Sequence, residues 1–120
     1  MEIDQRWGTK EELEELVDMA HHLDMRVFLD IVLHHTGNNW SYPGGYDYNY
    51  YEAMQFPLGE WRYDDKPIPF ELRTPDLYNR KGQIKNFDTY PETTDGDFFN
   101  LMSLRNDNSS EAMYVQDLMI

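Results

Sequence analysis

The chain has 120 residues with a net charge of −13, and 40% of the residues are hydrophobic and 15% aromatic. This length allows one small domain with a modest core, and the apolar content is too high for a disordered chain. No apolar run approaches the roughly 18–20 residues that span a bilayer. The acidity argues against a nucleic acid partner, since a phosphate backbone requires clustered lysine and arginine. The absence of cysteine excludes disulfides, thiolate metal sites and thiol nucleophiles.

The N-terminal residues 1–6 are polar and lack the apolar segment of a secretory signal peptide. The expectation is therefore a chain with no visible targeting signal or membrane partner. The sequence indicates neither its compartment nor its oligomeric state.

The first predicted element is a helix whose N-terminus is marked by a capping sequence. Thr9 and Glu12 have the spacing of a capping box, in which each side chain bonds the backbone N–H of the other residue. An apolar stripe follows at the spacing of one helix face. We predict a helix over about residues 9–22. The stripe consists of Leu13, Leu16, Val17 and Ala20.

A second element follows at Arg26–Leu33, which is rich in β-branched residues and almost continuously apolar. Such a run is typical of a parallel strand that is covered on both faces. We predict a strand over about 26–33, and a helix followed by such a strand is half of a βαβ unit. Asp30 lies inside this strand. Because burying a carboxylate is costly unless it is paired, Asp30 requires a partner from elsewhere.

Residues 38–108 carry no long periodic pattern. A structureless loop of that length is uncommon inside a compact domain, so we predict a small irregular subdomain inserted after the strand, with short β pieces around Gln83–Asp88. Half of the aromatic residues fall in one stretch of it: Trp40, Tyr42, Tyr46, Tyr48, Tyr50, Tyr51, Phe56, Trp61 and Tyr63.

A helix cap at Asn108–Glu111 and a partial apolar stripe after it predict the start of another helix over 109–120. A single parallel strand leaves both of its apolar faces uncovered. The pattern therefore indicates an α/β fold of which this chain carries only a part.

Two histidines follow the predicted strand directly. His34 and His35 would lie at its carboxyl end, which is where α/β barrels and open α/β sheets place their sites. With Asp30 inside the same strand, they form the strongest candidate site of the chain. The alternative is that they are ordinary loop histidines.

These residues closely resemble a known family. Gly8-Thr9, the acidic helix that follows, and the run Arg26–Gly37 are similar to the α-amylase family, glycoside hydrolase family 13. In that family the third barrel strand ends in a motif of the form D-[VI]-V-x-N-H. A small, irregular, calcium-associated domain then precedes the third helix.

The resemblance implies a fragment of a (β/α)8 TIM barrel over residues 1–37. It implies an inserted B-type subdomain over 38–108 and the start of the next barrel helix over 109–120. Within the insert, Gly96-Asp97 before Leu101–Leu104 resembles a family stretch in which G-D precedes L-P-D-L.

The resemblance also implies roles for individual residues. Asp30 matches the motif aspartate, which supports the hydrogen-bond network of the active site. His35 matches the motif histidine, which bonds the sugar beside the scissile bond. These two residues are the expected substrate-binding residues, and the expected partner is an α-linked glucan or oligosaccharide.

A calcium ion is the cofactor that the resemblance implies. Asp97 matches an aspartate of the insert that binds calcium in many members, and His34 stands where the family has an asparagine ligand. Calcium prefers oxygen ligands, which histidine lacks. Ser103 also replaces the aspartate of the L-P-D-L stretch, so a calcium ion here would depend on other ligands.

The family's nucleophile and acid/base lie on later strands, beyond Ile120, so no catalytic residue is expected in this chain. Retaining hydrolysis needs two carboxyl groups about 5–5.5 Å apart. The resulting interpretation is part of a retaining α-glucan-active glycoside hydrolase or transglycosidase. It supplies substrate-binding residues but is inactive by itself.

Two alternatives stay open at this point. One is an α/β-barrel metallohydrolase that uses Asp30, His34 and His35 as ligands, since imidazole and carboxylate suit zinc, iron or manganese. The other is a non-enzymatic carbohydrate-binding fragment built on the aromatic insert. Its stacking platform would include Tyr46–Tyr51 and Trp61.

Overall fold

The computed structural model describes residues 3–45 and 47–119. It divides the chain into two compact units, with the boundary after Ile31. Besides three short 3-10 helices at Pro43–Gly45, Phe70–Arg73 and Pro75–Leu77, the elements of the described residues are one long α-helix in the first unit and two short strands and two α-helices in the second. They are α1 (Lys10–His22), β1 (Trp40–Ser41), β2 (Glu60–Trp61), α2 (Glu92–Asp95) and α3 (Ser110–Met119).

Helix α1 begins as its sequence predicts. The Thr9 hydroxyl accepts a hydrogen bond from the backbone N–H of Glu12 at 3.2 Å, and the Glu12 carboxylate accepts one from the backbone N–H of Thr9 at 2.8 Å. This reciprocal pair satisfies two backbone donors at the start of the helix. No residue of α1 is buried, and the members of its apolar stripe are exposed or half-buried among the described residues.

The segment after α1 differs from the prediction. Residues 26–33 carry neither helix nor strand, and all of them are exposed. The predicted burial of Asp30 is therefore not found, and its carboxylate lies in solvent. The physical reason is pairing, because a strand forms only against a neighbour. No neighbour for this segment occurs among the described residues, where the only sheet is the antiparallel pair β1–β2.

The second unit has a core of its own, although little of its backbone is regular. Trp40 is fully buried and meets Tyr42 edge to face, with the ring centroids 4.9 Å apart. The aromatic insert predicted from sequence is thus largely core. The cluster consists of Trp40, Tyr42, Leu72, Leu77, Tyr78, Met102, Leu104 and Val115.

Single backbone pairings hold this unit together where strands are absent. Gln83 bridges to both Asn49 and Asp97, and Ser103 bridges to His35. Of the β pieces predicted over 83–88, only Gln83 takes part in a bridge. Gly82 is required at this crossing: its φ is +84°, and a side-chain Cβ would lie 2.6 Å from the carbonyl oxygen of Asn49.

Helix α3 belongs to this core. Ala112 and Val115 are buried, and Leu118 packs against the same aromatic cluster. The helix predicted over 109–120 therefore covers one side of the insert. Ile120 and Tyr46 lie outside the described residues. None of the described helices is both long and apolar enough to cross a membrane.

Candidate functional site

His35 is held from two sides in the second unit. Its Nδ1 lies 3.0 Å from the carbonyl oxygen of Thr36, and its ring stacks on Phe98 with an interplanar angle of 3°. Because a carbonyl can only accept, Nδ1 carries the proton and Nε2 of the neutral ring carries the lone pair. Among the described residues no hydrogen bond engages Nε2. The imidazole thus offers an acceptor in a fixed orientation.

The phenylalanine that stacks on this imidazole belongs to a group of three. Phe98 meets Phe87 and Phe99 edge to face, with centroid distances of 5.6 and 5.1 Å. All three are exposed on at least part of their surface. Sequence reasoning had not identified them. The sequence does mark the position of two of them, because Phe98 and Phe99 directly follow Gly96-Asp97, the pair that resembles the α-amylase insert.

His34 points to a different partner. Its Nε2 lies 3.1 Å from the carbonyl oxygen of Thr94, so the proton of the neutral ring is on Nε2. Burial lowers the pKa of His34, since desolvation disfavours the charged ring. The rings of His34 and His35 lie 5.8 Å apart at an interplanar angle of 81°. The two neighbouring histidines therefore carry the ring proton on different nitrogens, Nε2 in His34 and Nδ1 in His35, and donate to different carbonyl groups.

Asp97 is a buried carboxylate with both oxygens engaged. Oδ2 accepts from the hydroxyl of Tyr42 at 2.5 Å, and Oδ1 accepts from the backbone N–H of Ser103 at 2.9 Å. The Tyr42 oxygen in turn accepts from the backbone N–H of Gly82 at 2.8 Å. Since Ser103 also bridges to His35, this network supports the backbone beside the imidazole.

Burial dominates the electrostatics of this pair. It raises the pKa of Asp97 to about 6, against the opposing effect of the two hydrogen bonds. It also raises the pKa of Tyr42 above its usual range, and the neighbouring Asp97 adds to the shift. Tyr42 is therefore a hydroxyl donor at neutral pH.

The donor set does not fit a calcium ion. Both Asp97 oxygens already accept hydrogen bonds, and His34 presents an N–H, not an oxygen, at its Nε2. Calcium takes six to eight oxygen ligands. The oxygen that Ser103 offers is also engaged, because its hydroxyl accepts from the side-chain amide of Asn79 at 2.8 Å.

The metallohydrolase alternative gains no support from the side chains. Over residues 3–45 and 47–119, no three histidine, aspartate or glutamate side chains form a group that could hold a metal ion. Asp30 belongs to the first unit, whereas His34, His35 and Asp97 belong to the second.

The predicted stacking platform is mostly structural. Tyr48 stacks on Phe56 with a centroid distance of 4.6 Å, and Trp61 packs against the core. The hydroxyl of Tyr50 donates to Asp95 at 2.8 Å. Of the described aromatics in this stretch, Tyr51 and Tyr63 remain exposed.

An open polar cleft in the second unit had no sequence signature. It has a volume of about 340 Å³. Lys81, Asp95 and Arg105 supply charges of both signs, and Tyr90 supplies an aromatic face. Residues from four separate segments meet there, which no local pattern could indicate.

Comparison with known proteins finds similarity to enzymes of the α-amylase family. Residues 1–47 match the family model described as "Alpha amylase, catalytic domain". A 1,4-alpha-glucan-branching enzyme of Eremothecium gossypii is 39% identical over 62 residues, covering 48% of this chain and 9% of the relative. A maltogenic alpha-amylase of Bacillus acidopullulyticus is 49% identical over 37 residues, covering 31% of this chain and 6% of the relative.

The yeast relative agrees with these two. The 1,4-alpha-glucan-branching enzyme of Saccharomyces cerevisiae is 37% identical over 59 residues, covering 46% of this chain and 8% of the relative. No solved structure matches. The chain thus spans less than an eighth of the length of these curated relatives. Its first part, residues 1–47, is similar to the catalytic domain of the α-amylase family.

Proposed function

We propose that this chain is part of a retaining enzyme that acts on α-linked glucans, and that it supplies substrate-binding residues to that enzyme. His35 contacts the sugar beside the bond that is cleaved, and Asp30 is the second proposed substrate-binding residue. The observation that carries the proposal is the α-amylase match over residues 1–47, because that stretch includes both residues.

The geometry of His35 supports a binding role. With the proton on Nδ1, its Nε2 lone pair can accept a hydrogen bond from a sugar hydroxyl. The stacked Phe98 ring restrains the imidazole plane. A preoriented acceptor loses less entropy on binding than a mobile one. The other described contacts of His35 therefore serve to position it for a ligand.

The printed functions of the relatives support an α-glucan as the ligand. They are branching enzymes and a maltogenic amylase, so hydrolysis and transfer are both represented. The family pattern puts the two carboxyl groups of the retaining reaction on later strands. The chain by itself is therefore proposed to bind glucan without cleaving it.

Titration of the full chain with maltoheptaose, followed by NMR of the histidine ring nitrogens, tests this proposal. We expect the Nε2 signal of His35 to shift with maltoheptaose and not with β-linked cellohexaose. His35→Ala should weaken binding by about tenfold, which is the value of one hydrogen bond. His22→Ala is the matched control, since His22 is an exposed histidine whose described hydrogen bond stays within α1.

The same titration decides against the proposal if binding is unchanged in His35→Ala. If Tyr63→Ala then abolishes binding, the carbohydrate-binding alternative is correct, because the Tyr63 ring is exposed and outside the core. Release of reducing sugar by the chain alone would show that it carries its own catalytic groups.

A further inference from the structure

Two side chains donate hydrogen bonds to the carbonyl oxygen of Thr94. It accepts a hydrogen bond from Nε2 of His34 at 3.1 Å and another from Nδ2 of Asn106 at 2.8 Å. His34 stands at the start of the second unit and Asn106 just before α3. One carbonyl group therefore ties together three segments that are distant in sequence.

The Asp97 network makes a second tie close by in sequence. Its hydrogen bonds connect Tyr42 of the aromatic stretch with the backbone of Gly82 and, through Asp97, with Ser103 in the segment that precedes α3. Joining distant segments through carbonyl and carboxylate oxygens is what a bound calcium ion does in a loop-rich domain. Here those oxygens accept from N–H and O–H groups.

We propose that the second unit is held together without calcium, with the His34 imidazole N–H and the Tyr42 hydroxyl donating to the oxygens of Thr94 and Asp97 in place of the cation that the family resemblance implies. The argument rests on the donors. A cation placed at these oxygens would face the N–H of His34 and would displace the Tyr42 hydroxyl and the Ser103 amide. Each displaced donor or acceptor would lose a buried hydrogen bond. The inference is independent of whether the chain binds glucan.

Thermal unfolding of the full chain in EDTA and in about 5 mM calcium chloride tests the proposal first. We expect the two unfolding midpoints to agree to within about 1 °C. A native calcium site with a dissociation constant of about 50 µM would raise the midpoint by roughly 10 °C at that concentration. A rise of that size, abolished by Asp97→Asn, would overturn the proposal.

Variants at His34 test the role of the imidazole. Gln can donate an N–H to the Thr94 carbonyl, whereas Leu has a comparable volume and no donor. We expect His34→Leu to lower the midpoint by several degrees in EDTA and in calcium alike, and His34→Gln to retain most of the wild-type value. The same two substitutions at the exposed His22 should leave the midpoint unchanged.

Tyr42 offers an independent pair. Tyr42→Phe removes the hydroxyl that bonds Asp97 and accepts from Gly82. Tyr48→Phe is the control, because its hydroxyl makes a longer bond of 3.3 Å to the carbonyl of Pro43. We expect the first change to lower the midpoint more than the second, without creating a response to calcium. Equal midpoints for the two variants, or for His34→Leu and His34→Gln, would contradict the proposal.

Discussion

The two units use apolar residues in opposite ways. In residues 3–31 the apolar stripe of α1 is exposed or half-exposed, and so are all the residues of the segment that follows it. In residues 32–119 an aromatic cluster is buried although the described backbone contains only short regular elements. The comparison teaches that regular secondary structure and a completed core are separate properties of a chain.

The difference follows from where each unit finds its partners. The second unit folds back on itself, so bridges such as Gln83 to Asp97 and His35 to Ser103 close over its aromatic side chains. The first unit has a strong local signal in its capping box, but its described residues bury no part of α1. Four changes, from the largest expected effect to the smallest, test this comparison.

Replacing a core tryptophan should have the largest effect. Trp40 is 0% exposed in the second unit, whereas Trp7 is 87% exposed in the first. We expect Trp40→Ala to lower the free energy of unfolding by about 3–5 kcal/mol. Trp7→Ala should change it by no more than about 0.5 kcal/mol. Guanidinium unfolding followed by the fluorescence of the two tryptophans that each variant retains measures both losses. Comparable losses would contradict the difference in burial between Trp40 and Trp7.

Asp97 should make the stability of the second unit depend on pH. Its folded pKa of about 6 lies above the ordinary aspartate pKa of 3.8, so the folded state holds the proton more tightly. The resulting stabilisation is present below about pH 4 and is lost as the pH rises through about 6. The loss amounts to at most about 3 kcal/mol.

Asp97→Asn isolates this contribution, because an asparagine side chain has no charge to desolvate. Chemical unfolding at several pH values should show a smaller decline between about pH 4 and 6 in the variant than in the wild type. Parallel pH profiles for the two proteins would mean that Asp97 does not carry the effect.

The capping box of α1 should be worth less, since it is exposed. We expect Thr9→Ala to destabilise the helix by about 1 kcal/mol, because the backbone N–H of Glu12 loses its acceptor. Lys10→Ala removes only a surface ion pair with Glu14, at 3.5 Å, and should cost no more than about 0.5 kcal/mol. Hydrogen exchange of the Glu12 amide distinguishes them, and equal protection in both variants would count against the box.

The smallest effect on stability is expected for the exposed segment after α1. Phe28 is 83% exposed, so Phe28→Ser should change the free energy of unfolding by less than about 0.5 kcal/mol. It should nevertheless reduce self-association in light scattering, because it lies in a run of exposed apolar residues. Phe70→Ser, at another exposed phenylalanine, is the control. Equal scattering by Phe28→Ser and Phe70→Ser would show that the exposed apolar segment after α1 does not drive self-association.

The strand predicted over residues 26–33 shows where sequence reasoning reaches its limit. Its apolar pattern is that of a strand covered on both faces, but the described residues supply no strand with which it pairs. The aromatic residues of the second unit differ in this respect. Their partners lie within the same unit, so Trp40, Tyr42 and Tyr78 find each other.

The sequence by itself determined the start of α1, through local hydrogen bonds between Thr9 and Glu12, and the similarity of residues 1–47 to the α-amylase catalytic domain, through a motif of adjacent residues. Only the tertiary structure decided what the candidate site residues do. His34 bonds a carbonyl 60 residues away, and Asp97 bonds a hydroxyl 55 residues away. A donor or acceptor at such a separation is chosen by the folded path of the chain. The tautomers of the two histidines and the engaged oxygens of Asp97 follow from that path.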